Sequence, residues 1–75
     1  MSGKEFKRIR EKLGLERSEL AEVFGMSGSM AIANIENGSR NPGPILGVLM
    51  KTLDAVPLKR AKEIIELLRK FGHGS

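Results

Sequence analysis

The chain has 75 residues and a formal net charge of +4, from 13 Lys and Arg against 9 Asp and Glu. This length allows one domain, and the absence of cysteine excludes disulfides and zinc–thiolate sites. No apolar run approaches the roughly 18 residues of a membrane span, and the first residues lack a signal-peptide pattern. We therefore expect a cytoplasmic protein with no membrane partner, no metal and no other cofactor.

The basic side chains are concentrated towards the two ends of the chain. Residues 1–17 carry six basic against three acidic groups, and residues 51–75 carry the same numbers. Residues 18–50 contain Arg40 as their only basic residue, against three glutamates. A basic protein suits a polyanionic partner, but the acidic middle weakens a nucleic-acid interpretation.

Apolar spacing predicts five helices and no strand. Ser2 and Glu5 fit a capping box at the start of the first helix. Pro44 suits the first turn of the fourth helix, and the fifth covers about residues 57–70. We expect one all-α domain over residues 1–71.

The fifth helix carries more apolar surface than one contact face needs. Either all of it packs on the first and fourth helices, or part of it faces a second copy of the chain, because an exposed apolar patch on a small protein is a liability. We predict a homodimer. The predicted interface residues are Leu58, Ile64, Leu67, Leu68 and Phe71. Residues 72–75 are predicted to form a flexible tail.

Residues 16–37 read as two short helices joined by a turn. Gly25 opens the turn, and Gly38 after Asn37 supplies the left-handed residue that ends the second helix. Two short helices joined by a glycine turn form a helix-turn-helix unit, whose second helix enters the major groove of DNA. The pattern therefore predicts binding to double-stranded DNA.

The segments FKRIREKLGLERSELAEVFG and NIENGSRNPGP resemble the phage-repressor and Cro type of helix-turn-helix domain, the XRE-like family. The resemblance covers about residues 5–55 and implies a five-helix, phage-repressor-like fold and a role as a transcriptional repressor. It also implies a structural ion pair between Arg10 and Glu36. The PGPI segment is similar to small plasmid and phage regulators, including antitoxin and anti-CRISPR-associated repressors, which suggests a bacterial, phage or plasmid context.

The same resemblance implies a set of DNA contacts. The positions that contact bases in the family correspond to Ser29, Met30, Ala33 and Asn34. Asn34 suits adenine because its amide donates and accepts together; Met30 either packs on a thymine methyl group or belongs to the core. The positions expected to contact phosphates are Arg17, Ser27, Gly28, Asn37, Ser39, Arg40 and Asn41.

The sequence bears on two other functions. Catalysis is not expected, because the only histidine, His73, has no neighbouring nucleophile or carboxylate cluster. The second hypothesis is a protein-interaction module on the same fold, such as an antitoxin-type partner-binding domain. It is favoured by the acidic middle and by a recognition helix that has few hydrogen-bonding side chains. Arg17 and Arg40 separate the two hypotheses, since only DNA binding requires their charges.

Overall fold

The computed structural model describes residues 1–72, and within that range it contains five α-helices and no strand. The helices are α1 (Gly3–Lys12), α2 (Arg17–Val23), α3 (Ser29–Glu36), α4 (Gly43–Ala55) and α5 (Leu58–Gly72). The predicted all-α, five-helix class is confirmed. Gly72, which was assigned to the flexible tail, is the last residue of α5, and the rest of that tail lies outside the described residues.

A single apolar core joins all five helices. α2 packs on α3 and α5, and α1 packs on α3 and α4. The largest fully buried side chains are Phe6, Ile9, Leu20, Val23, Ile32, Ile35, Met50 and Leu53. Each such side chain contributes about 1.5–3 kcal/mol when it leaves water, so the three- and four-residue spacing of these positions determines which face of each helix turns inward. No helix among residues 1–72 has both the length and the apolar character needed to cross a membrane.

Local hydrogen bonds fix the helix starts. The Ser2 hydroxyl accepts a hydrogen bond from the Glu5 amide at 3.1 Å, which is half of the predicted capping box. At the start of α2 the amide of Glu16 donates to the Glu19 carboxylate at 2.8 Å. Both contacts satisfy backbone amides that have no partner inside their helix.

The turn between α2 and α3 depends on glycine. Gly25 has a φ of +65°, a left-handed conformation that L side chains rarely tolerate. Gly38, which follows α3, has a φ of +87° and so adopts the left-handed conformation predicted for it. The amide of Met26 donates to the carbonyl of Ala21 at 2.8 Å and closes the turn. A Cβ atom on Gly25 would also lie 2.9 Å from the carbonyl oxygen of Gly72. The end of α5 therefore packs directly against this turn.

The first residue of α1 lies against the end of α3. A Cβ atom on Gly3 would lie 2.7 Å from the carbonyl oxygen of Ile35 and closer still to that of Glu36. Glycine is needed here for space, because its φ is not in the left-handed region. The contact also brings the positive end of one helix dipole to the negative end of another.

Alanine substitutions at Gly3, which is crowded by α3, and at Gly47, which has free space around it, should have opposite effects on the free energy of unfolding. Gly3→Ala should lower the free energy of unfolding by about 1–3 kcal/mol, because the new methyl group overlaps backbone that cannot move aside easily. Gly47→Ala, inside α4 where a Cβ meets nothing within 4 Å, should raise it by about 0.5–1 kcal/mol. Urea unfolding followed by circular dichroism measures both. Stabilisation by Gly3→Ala would contradict the packing of α1 on α3.

Candidate nucleic-acid interface

The outer face of α3 carries the residues predicted to contact bases. Ser29 and Met30 are exposed, and Met30 has 70% of its surface accessible. Ala33 and Asn34 are half-buried. The other side of the helix is buried through residues such as Ile32. The structure therefore brings the four predicted positions onto the solvent side of one helix, and the alternative that Met30 belongs to the core is wrong.

The loop after α3 is shaped by two asparagines that were predicted to contact phosphate. The side-chain oxygens of Asn37 and Asn41 each accept a hydrogen bond, at 2.8 Å, from the backbone amide two residues further on. Their NH₂ groups remain as donors, the type of group that a phosphate oxygen requires. Ser39 and Arg40 are exposed in the same loop, and the Arg40 amide donates to the carbonyl of Asn34 at 3.0 Å. The loop is thereby attached to the end of α3.

The other predicted phosphate contacts lie at the start of α3 or along its side. Arg17 lines an open groove of about 670 Å³, together with Lys7, Ser18 and Ser29. Ser27 and Gly28 line a smaller groove of about 360 Å³ that also includes Ser18. Ser27 and Gly28 therefore lie at the start of α3, and the loop of Asn37, Ser39, Arg40 and Asn41 follows its end. Arg17 lies beside the helix, since it shares a groove with Ser29 and donates a hydrogen bond to Glu36.

Lys7 and Ser18 were not among the predicted site residues. Lys7 lies one helical turn before Arg10 on α1 and Ser18 follows Arg17 on α2, and all four residues line the same groove. Both could have been considered as solvent-facing positions next to Arg10 and Arg17. Lys7 has no ion pair within the described part of the chain.

Glu36 is bound by two arginines. The guanidinium of Arg10 donates from Nε to Glu36 Oε2 at 2.5 Å and from Nη2 to Oε1 at 3.2 Å, which makes a bidentate pair. Its Nη1 donates to the carbonyl of Leu15 at 2.9 Å. Only 9% of the Arg10 side chain and 2% of the Glu36 side chain are exposed. The structure contains the ion pair that the resemblance implies.

Arg17 provides a second contact that the sequence did not predict. Its Nε donates to Glu36 Oε1 at 3.0 Å, while 44% of its side chain remains exposed. Burial by itself would raise the pKa of Glu36, but the hydrogen bonds and charges of Arg10 and Arg17 outweigh this and hold that pKa below its ordinary value. The carboxylate is therefore ionised and neutralised inside the protein.

The other acidic residues of the middle segment are engaged as well. The Glu19 carboxylate accepts a hydrogen bond from the backbone amide of Glu16, and Glu22 Oε1 lies 3.5 Å from Nε of Arg69 on α5. Together with Glu36, these are the only acidic residues between 18 and 50. Two of the three acidic side chains of the middle segment, Glu36 and Glu22, are therefore paired with arginines.

On the far side of α1, two basic residues are paired with Asp54 of α4. Arg8 Nη2 lies 3.1 Å and Lys12 Nζ 2.8 Å from the Asp54 carboxylate, and Lys12 also donates to the Asp54 carbonyl at 3.0 Å. These hydrogen bonds, first that of Arg8 and then that of Lys12, lower the pKa of Asp54. Within residues 1–72, no group of three His, Cys, Asp or Glu side chains is placed to hold a metal ion.

A separate apolar groove of about 530 Å³ lies between α2, α4 and α5. Four of the five predicted interface residues line it: Ile64, Leu67, Leu68 and Phe71. Leu58 does not line it, because nine residues separate it from Leu67 and place it half a turn away around the helix axis. The structure therefore brings together four of these residues and leaves the fifth on another side of α5.

The fold contains two packed helices around a glycine turn, and the outer face of the second helix is exposed, with polar and basic groups around it. These features define a helix-turn-helix DNA-binding domain. A family model described as "Helix-turn-helix" matches residues 6–46. The chain belongs to this family, of the phage-repressor type that its sequence resembles. It is a DNA-binding domain of the transcription-regulator type. No curated protein and no solved structure matches the chain.

The buried carboxylate predicts a pH-dependent loss of stability. Glu36→Gln should lower the free energy of unfolding at pH 7 by about 3–5 kcal/mol, because Arg10 would be left buried without a counter-charge. The pKa of Glu36 is depressed in the folded state, so its contribution is fully present above the unfolded-state pKa of about 4.3 and is lost progressively as the pH falls from there through the lower folded-state pKa. The difference between the two proteins should therefore shrink towards pH 3. Denaturant unfolding at both pH values measures it.

Asp54→Asn is the matched control for this measurement. It removes a carboxylate that also accepts hydrogen bonds from two basic side chains but is more exposed than that of Glu36. It should lower the free energy of unfolding at pH 7 by less than Glu36→Gln does. Equal losses for the two variants, or a Glu36→Gln effect that does not change with pH, would contradict the role assigned to Glu36.

Proposed function

We propose that the protein is a dimeric transcriptional repressor that binds a short operator in double-stranded DNA, with α3 in the major groove of each half-site. The observation that carries this proposal is the outer face of α3, with the two groups of donors at its ends. Donors at both ends suit the phosphates on either side of a groove, and the face between them suits base edges. Operator DNA lies in the cytoplasm of a bacterium, so the proposal includes a cytoplasmic location.

The pairing of the acidic residues supports DNA over a protein partner. The acidic middle is one of the two features that favour an antitoxin-type partner-binding domain, and Glu36, Glu19 and Glu22 all make contacts within the domain. A phosphate backbone that approaches α3 would therefore meet two carboxylates, Glu36 and Glu22, that are paired with arginines.

Arg17 and Arg40 supply the phosphate contacts in this proposal. Arg17 bonds Glu36 through Nε, and no other hydrogen bond of its guanidinium occurs within the described residues, so its NH₂ groups can donate to a phosphate. Arg40 is exposed on the loop after α3. Such contacts determine affinity and register rather than sequence preference.

The apolar groove supports the dimer. Leu67 is 55% and Phe71 71% exposed, and large apolar side chains grouped on one surface favour association. A two-fold axis through this surface buries the same residues of both copies. It would present two α3 helices to pseudo-palindromic half-sites about 10–10.5 bp apart, or a multiple of that distance.

The experiment that tests the proposed function is a selection from a randomised double-stranded DNA pool at two salt concentrations, with the bound fragments sequenced. A recovered two-fold motif whose binding weakens steeply with salt would support the proposal. Weak retention of DNA without any enriched motif would contradict it and favour the partner-binding alternative.

Arg17 should contribute one phosphate contact to every sequence that the protein binds. Arg17→Ala should weaken binding to all duplexes alike and reduce the slope of log affinity against log salt by about one unit. Lys59→Ala is the control, because it removes the same charge from α5, which does not pack on α3. Fluorescence anisotropy at several salt concentrations measures both. An equal change of slope in the two variants would exclude a specific contact by Arg17.

The apolar groove between α2, α4 and α5 should control the oligomeric state of the protein. Leu67→Glu should yield a monomer at micromolar concentration, because it places a charge in the shared apolar surface. Leu58→Glu, which changes a similarly exposed leucine (43%) outside the groove, should remain dimeric. Analytical ultracentrifugation of the free proteins measures this. A monomeric wild-type protein, or a dimer that survives Leu67→Glu, would contradict the proposed interface.

A further inference from the structure

The outer face of α3 offers neutral side chains only. Glu36 is the single charged residue of the helix, and both of its oxygens are occupied by arginines. In the major groove, guanine is read best by Arg or Lys and cytosine by a carboxylate. Residues on α3 can provide neither contact, so this helix is poorly suited to G·C pairs.

Met30 is an exposed apolar side chain that lies outside the apolar groove between α2, α4 and α5. With 70% of its surface accessible, it contributes little to the core and does not line the groove that is proposed for dimerisation. An isolated apolar side chain on a DNA-facing helix matches one feature of the major groove, the C5-methyl group of thymine. The small side chain of Ala33 beside it allows close approach.

Asn34 provides the complementary polar group. It is half-buried, and its side-chain amide makes no hydrogen bond within residues 1–72, so it can both donate and accept. That pair of functions matches N6 and N7 of adenine. Met30 and Asn34 are four residues apart on one side of α3, with about 5–6 Å between their Cβ atoms, which corresponds to one or two base-pair steps of about 3.4 Å.

We propose that α3 reads neighbouring A·T pairs in its half-site, with Asn34 bound to an adenine and Met30 packed on a thymine methyl group. This inference rests on the proposed function, since it specifies the DNA that the same face recognises. The operator positions under α3 should therefore be A·T, and any G·C preference should fall at positions read from the flanking loops.

The test uses the duplex recovered by the selection and two altered bases. Replacing the contacted thymine by deoxyuridine removes only the methyl group, and should weaken binding of the wild-type protein by about fourfold. Replacing the contacted adenine by 7-deazaadenine removes N7 and should weaken binding by about fivefold or more. Met30→Ala should bind the thymine and deoxyuridine duplexes equally, and Asn34→Ala should not distinguish adenine from 7-deazaadenine.

Each variant serves as the control for the other. Met30→Ala should keep its sensitivity to 7-deazaadenine, and Asn34→Ala should keep its sensitivity to deoxyuridine. Circular dichroism and thermal unfolding establish that both variants are folded, which their exposed or half-buried positions favour. A change in general stability alone would weaken binding to all duplexes without removing one base preference.

The outcomes separate this inference from the proposed function. A motif with G·C at the positions whose preference Asn34→Ala abolishes would overturn the inference and leave sequence-specific DNA binding intact. The same would follow if Met30→Ala still distinguished thymine from deoxyuridine. If no motif is recovered, the proposed function fails and the inference fails with it.

Discussion

The Glu36 carboxylate holds together the three helices on which the rest of the structure depends. Glu36 is the last residue of α3. Its carboxylate accepts two hydrogen bonds from Arg10 of α1 and one from Nε of Arg17 at the start of α2. A buried charge of this kind is tolerated only when partners neutralise it, so the two arginines determine where α3 can lie. The contact of Gly3 with the end of α3 adds a steric constraint at the same place.

This arrangement also explains how a basic protein with an acidic middle can offer a surface to DNA. Glu36, the carboxylate that ends α3, is neutralised within the domain, while Arg17 beside the helix and Arg40 in the loop after it remain exposed. Charge is thus confined to the edges of the interface, where it would meet phosphates. The centre is left to neutral groups, which discriminate bases by hydrogen bonding and by apolar contact rather than by charge.

Much of the fold could be predicted from the sequence, because helix boundaries depend on local signals: the serine cap, the glycines with positive φ, and the proline in the first turn of α4. The Arg10–Glu36 pair could be predicted from the resemblance. The contact of Arg17 with Glu36 and the separation of Leu58 from the apolar groove could not, because each depends on how distant helices pack or on their relative rotation. The candidate base contacts remain predictions, since they concern a DNA molecule rather than the folding of the chain.

The central claim is that the DNA-binding surface is the α3 face with the groups at its two ends. The most direct test is a titration of ¹⁵N-labelled protein with the selected duplex, followed by backbone amide chemical shifts. The account predicts the largest changes at residues 17–18, 27–34 and 37–41, with smaller changes on the exposed side of α5. Changes confined to the apolar groove of α2, α4 and α5, or no changes at all at low salt, would contradict it.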